Sequence, residues 1–427
     1  MKLLFVVYGL FCFVFAGFAE QQLFAQNENR VNIIKRDHYM NSKTVFESTH
    51  QGRVAFLGGS ITEMDGFRPM VCDFLQEKFP QTTFDFINAG ISSTCSTTGA
   101  FRLKNDVLSF GKIDLFFVEF AVNDDQDAHH SIQHSIRGME GIIRHIRKVN
   151  PDVDIVMIHF VNENLMDQYR LGKVADSIAA HETVAKHYHI STINLAKEIT
   201  EEIDSGQITW EEFGGVHPAP RGNRICVDMI KALLLSDWNE ERANNDSEIV
   251  LCNSHNVLNS ISPLKNDSSL EIIDPFSYVD VDFLSWDLIQ KDDHWTVCIP
   301  DWKSIPGAFR DRFADRQLFC ADQPGSQCSF SFYGTVVGAY LLAGPDAGIL
   351  EFQIDDQPSQ RIDLFHHFSS GLHYPRSILL ADELENGPHS ITITVSAEKN
   401  RDSNGNAARI LEFLGSSLSF DPSQDQN

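Results

Sequence analysis

Val54-Ala-Phe-Leu-Gly58-Gly59-Ser60-Ile-Thr62 is the stretch that decides the fold. A short apolar run bounded by glycine reads as a strand buried on both faces, the kind found in parallel sheets. The two glycines let the backbone turn sharply and approach a ligand closely. Ser60 then stands where strand gives way to helix, in the crevice where open α/β sheets take their ligands. A serine hydroxyl attacks an acyl carbonyl only when a base takes its proton and donors receive the oxyanion. Those partners must come from elsewhere in the chain.

From 52 to about 235 strand-like and helix-like segments alternate, which indicates parallel βαβ units in a doubly wound sheet. Further strands are expected over 84–90, 115–122, 154–160 and 190–195. Helices are expected over 67–79, 132–149, 172–188 and 223–235, the second stopped by Asn150-Pro151. Each strand end delivers a usable group. Asn88-Ala-Gly90 offers a backbone N–H, and Val122-Asn123-Asp124 a side-chain amide. Gly214-Gly-Val-His217-Pro carries an imidazole on a Gly/Pro-rich loop ahead of the closing helix.

In order and spacing these four pieces resemble the SGNH (GDSL-type) hydrolase superfamily, over about 52–235. The resemblance implies a flavodoxin-like α/β fold and ester hydrolysis through an acyl-enzyme, with neither cofactor nor metal. It makes Ser60 the nucleophile and His217 the general base. The oxyanion hole would comprise the Ser60 N–H, the Gly90 N–H and the Asn123 amide. Two departures stand out. The family usually reads Gly-Asp-Ser where this chain has Gly58-Gly59-Ser60, and it usually carries aspartate three residues before the histidine, where this chain has Gly214. His217 then works either as a dyad base held by a backbone carbonyl or with Glu211 or Glu212 as partner.

Two residues are assigned to the substrate side. Asp124 opens the acidic and imidazole run 124–130, which lacks a metal-ligand spacing and reads as a solvated loop. Trp210 is either a sugar-stacking platform or a packing aromatic.

The second half changes character. Asn-, Asp- and Ser-rich stretches with apolar fragments read as a connector over 241–290, packed on its neighbours. Short alternating strands with Gly/Pro/Asp turns over 291–420 then indicate an antiparallel β-sandwich, similar to the jelly-roll modules that accompany carbohydrate esterases. Loops 364–368 and 373–376 bring aromatic, histidine and arginine residues toward substrate or the neighbouring domain. Cys320 and Cys328 bracket a loop that suits a local disulfide.

At the start, one lysine, an apolar run and Gly17-Phe-Ala19 form a signal peptide over 1–19, followed by an extension over 20–51; 421–427 is a tail. Export to the periplasm or beyond follows, with no membrane span after cleavage. The net charge of −25 argues against nucleic acid as partner. The sequence thus indicates an exported two-domain esterase acting on an acyl, in particular acetyl, ester of carbohydrate. The alternatives are a lipid or general carboxylesterase and a non-catalytic glycan-binding protein.

Overall fold

The computed structural model describes residues 32–239, 271–279 and 281–416. The signal peptide, Cys252, most of the connector and the tail lie outside them. Among the described residues no helix is long and apolar enough to cross a membrane.

Six strands make the first sheet: β1 (Ile33–Ile34), β2 (Gln51–Gly58), β3 (Thr83–Gly90), β4 (Leu115–Glu119), β5 (Asp154–Ile158) and β6 (Ser191–Ile193). Their order is β1-β6-β5-β4-β2-β3. β2 to β6 are parallel, and β1 closes the far edge antiparallel to β6. The expected flavodoxin-like α/β sheet is therefore present, and residues expected in an extension already contribute its edge strand. From β2 the chain steps to β3 on one side, then to β4, β5 and β6 on the other. That reversal puts the topological switch point between β2 and β4, at the Ser60 turn.

Alternation along β2 explains its continuous apolarity. Val54 and Phe56 enter one core, Ala55 and Leu57 the other. A strand covered on both faces has no polar period to display. The same reason accounts for one boundary shift. The run expected as a strand over 115–122 ends at Glu119, and Ala121–Gln126 is a helix. Both pieces are buried, so apolar content does not separate them. Helix Ile132–Val149 lies where its 3.6-residue period places it. Helix Ser96–Asp106 has no counterpart among the expected helices; Ser-Thr-Thr-Gly at its start carries weak helix preference, and packing overrides it.

The sandwich has two antiparallel sheets. One contains β7 (Val281–Leu284), β9 (Thr296–Cys298), β10 (Leu318–Ala321), β12 (Val337–Ala343), β15 (Tyr374–Ala381) and β17 (Ala408–Ser416). The other contains β8 (Gln290–Lys291), β11 (Gln327–Gly334), β13 (Ile349–Ile354), β14 (Gln360–Asp363) and β16 (Gly387–Val395). β12 is buried throughout: Val337, Ala339, Leu341 and Ala343 face the sandwich interior, while Tyr340 and Leu342 join the core of the first domain. The two domains thus share an apolar seam. Arg137 adds a polar one, reaching from helix Ile132–Val149 to Asp274, Asp382 and Glu383.

The local disulfide is not formed: Cys320 and Cys328 are both free. They sit on β10 and β11, which belong to opposite sheets. Cys328 points into the sandwich interior and Cys320 toward the first domain, so the short loop between them does not join their sulfurs.

Arg102 ties the catalytic edge together. Its side chain is fully buried, and it donates to Ala89 O at 2.6 Å and Gly58 O at 3.0 Å, carbonyls at the ends of β3 and β2. Arg102→Met should therefore lower the free energy of unfolding by about 3–5 kcal/mol, the scale for breaking a buried charged network. Denaturant unfolding of both forms measures it.

Candidate active site

Strand register brings the site together. Gly58 is paired with Gly90 on one side and with Glu119 on the other. The three strand ends therefore finish side by side. Ser60 begins the one-turn helix Ser60–Glu63, so its N–H is among the amides a helix start leaves without an intrahelical partner. The loop after Trp210–Phe213 carries His217 back over the edge, and its Nε2 lies 2.8 Å from Ser60 Oγ. Residues 157 apart in sequence thus meet at the distance that a hydroxyl nucleophile and its base would need.

Asn123, buried in helix Ala121–Gln126, lies against the turn. A Cβ on Gly59 would come within 2.2 Å of Asn123 Oδ1. Glycine in place of the family's aspartate therefore matches the close seating of this amide. Asn123 Nδ2 donates to Asp127 Oδ2 at 2.8 Å. The Gly90 amide does not stand open: it donates to Asn88 Oδ1 at 3.0 Å.

The missing aspartate has a geometric counterpart. Gly214 has φ +107°, and a Cβ there would lie 2.1 Å from Ala219 N. Glu212 closes a capping box with Thr209 and faces Arg221. Among the described residues the His217 ring hydrogen-bonds Ser60 alone. Neither Glu211 nor Glu212 hydrogen-bonds the ring, which leaves the geometry of a Ser–His pair.

Asp124, expected on the substrate side, is wholly buried instead. Its oxygens accept from Ser96 N at 2.8 Å, Ser96 Oγ at 2.7 Å and His181 Nε2 at 2.9 Å. An aspartate saturated in this way ties helix Ser96–Asp106 and His181 to the helix after β4. Burial would raise its carboxyl, but His130 and His181 hold it well below the carboxylate range. Burial likewise opposes charge on His130, yet Cys95 and Asp124 carry that ring up to about 10. Cys95, Asp124 and His130 offer ligand atoms within 4.8 Å of one another and are, among the described residues, the set that could hold a metal ion. Cys95 carries no sequence signal for this cluster, because 29 positions separate it from Asp124. Trp210 stacks on Phe213 at 5.6 Å and packs against the first core.

Two groups behind the site were not legible either. Glu119, the last residue of β4, accepts from Gly59 N–H at 2.9 Å and Thr62 Oγ at 2.6 Å, fixing the turn from below. The sandwich reaches in from the other side: Tyr374 Oη donates to Asp127 Oδ1 at 2.8 Å, and Arg312 donates to Gly90 O at 3.0 Å. Burial pushes the Asp127 carboxyl upward, against those hydrogen bonds.

Residues 56–225 match the GDSL-like Lipase/Acylhydrolase family. No curated protein matches the chain in sequence. Among solved structures, a two-domain esterase (CEX) active on acetylated mannans is similar over 91% of this chain and 98% of that one, at 20% identity and a TM-score of 0.67. The same esterase co-crystallised with mannopentaose is similar over 91% and 97%, at the same identity and TM-score. At that identity the likeness is one of fold.

Gly214→Asp should cost about 1–3 kcal/mol of stability, from strain at positive φ, and should not speed ester turnover. A hundredfold or larger rise in kcat would show that the dyad lacks only its acid. Glu119 gives a second expectation. Burial raises its carboxyl from 4.5 to about 7. Its stabilising contribution is then full below pH 4.5 and is lost as pH climbs through 7. Glu119→Gln keeps an acceptor for the Gly59 N–H and should flatten that decline, leaving the share from Asp154, which burial also raises to about 7. Unfolding midpoints across the window report the slope.

Proposed function

We propose, on the match of residues 56–225 to the GDSL-like lipase/acylhydrolase family, that this chain is an exported serine esterase removing acetyl or similarly short acyl groups from carbohydrate. The observation that carries the reading is the 2.8 Å contact of Ser60 Oγ with His217 Nε2 at the switch point, beside Asn123.

The chemistry follows from those positions. Ser60 Oγ attacks the acyl carbon while its proton passes to His217 Nε2, and the carbonyl electron pair moves onto oxygen. The Ser60 N–H and the Asn123 amide receive that oxyanion, and the Gly90 N–H joins them by exchanging Asn88 Oδ1 for it. Collapse of the tetrahedral species expels the sugar oxygen, which takes the proton from His217. Water, deprotonated by the same ring, then attacks the acyl carbon; the Ser60 Oγ–acyl bond breaks, Oγ takes the proton back from His217, and the acid leaves. A ring without a carboxylate partner loses the orienting help a third acid gives. The dyad asks correspondingly more of its oxyanion donors.

A sugar substrate is supported by the two-domain architecture shared with an esterase active on acetylated mannans. Export is supported by the leader-like run over 1–19.

Ser60→Ala should abolish both fluorophosphonate labelling and hydrolysis of a small acetyl ester, with its unfolding midpoint unchanged. Wild-type turnover in that variant would end the assignment. Acetate release from a panel of acetylated polysaccharides, set against cleavage of long-chain acyl esters, tests the substrate class. Preference for long chains would favour the lipid-esterase reading.

A further inference from the structure

We infer that the β-sandwich takes part in catalysis: Tyr374, acting through Asp127, is a positioning residue that aims the Asn123 amide at the oxyanion. The inference rests on the esterase reading above and extends it across the domain boundary.

Three observations converge on Asp127. A primary amide is planar, so fixing one N–H fixes the direction of the other. In this chain one N–H of Asn123 goes to Asp127 Oδ2 at 2.8 Å. An ionised carboxylate only accepts, so this contact also distinguishes the amide's nitrogen end from its oxygen end. The other carboxylate oxygen is fixed from the sandwich, where Tyr374 Oη donates to Oδ1 at 2.8 Å. The backbone of Asp127 is held from the same side, its carbonyl accepting from His366 Nε2 at 3.1 Å. His366 stacks flat on Tyr374, with ring centroids 4.6 Å apart and 6° between planes. The pair is thus one rigid unit pressed against Asp127.

The opposite wall of the hole is held from the sandwich as well. Arg312 donates to Gly90 O at 3.0 Å and to Glu63 Oε1 at 2.6 Å. Arg310 donates to Ser92 O and Ser93 Oγ, both at 2.8 Å. Both candidate donor segments, one after β3 and one after β4, therefore take their alignment from residues more than 200 positions later in the chain. Preorganised donors act without reorganising as charge develops, and a loosely held amide forfeits that advantage.

The test is a double-mutant cycle on the full chain. Removing an oxyanion donor outright costs roughly 100- to 1000-fold in kcat, so loosening one through Tyr374→Phe should cost about tenfold. KM should stay within about twofold, because the lost interaction belongs to the transition state. In an Asn123→Ala background Tyr374→Phe should cost nothing further. Asp127→Ala should reproduce the pattern from the other side of the boundary. An unchanged kcat in Tyr374→Phe, or an equal loss with and without Asn123, would overturn the inference. Absent turnover and absent fluorophosphonate labelling in the wild-type protein would instead mark failure of the esterase reading, and the inference would fall with it.

Discussion

Everything at the site depends on the register of three parallel strands. With Gly58 opposite both Gly90 and Glu119, the ends of β2, β3 and β4 form one short row. A slip of one residue in any of them would turn the following loop to the other face. Buried Arg102 keeps the row closed by donating to two carbonyls at the strand ends, and Glu119 supports the turn beneath Ser60. Ser60 is thus held by backbone geometry that burial on both faces of the sheet enforces.

Against that fixed row His217 is lightly held. His217 meets Ser60 as an exposed residue on a half-buried loop, and the position that usually supplies its acid is a glycine in a conformation that disfavours a side chain. Asn123 is seated against Gly59 and tied through Asp127 to the sandwich.

The sandwich is more than an appended module. Its sheet residues extend the core of the first domain, Arg137 bridges to Asp274, Asp382 and Glu383, and its loops bond the segments that carry Gly90 and Asn123. Segments 364–368 and 373–376, read in sequence as loops touching either substrate or neighbour, make neighbour contacts through His366 and through Tyr374 at the start of β15.

How much was legible follows from which forces are local. Glycine at a turn, apolar runs of strand length and a helix period over 132–149 are properties of neighbours in sequence, so the sheet, the sandwich, Ser60, Asn123 and His217 could be read directly. Burial erased the boundary between β4 and the helix after it, because an apolar run carries no mark of where its geometry changes. Asp124 reads as a solvated loop residue for the related reason that a charge looks exposed until its partners are known, and Ser96 and His181 lie far off in sequence. The free state of Cys320 and Cys328 was set by the faces their strands present. Arg102, Glu119, Asp127 and Tyr374 carry no local signature at all. By itself the sequence determined the alternation of strands and helices in the first domain, the strand-rich second half and the candidate residues at the sheet edge. Only the tertiary structure decided which of them meet, because hydrogen bonds between distant residues exist only after packing has brought their strands and loops together.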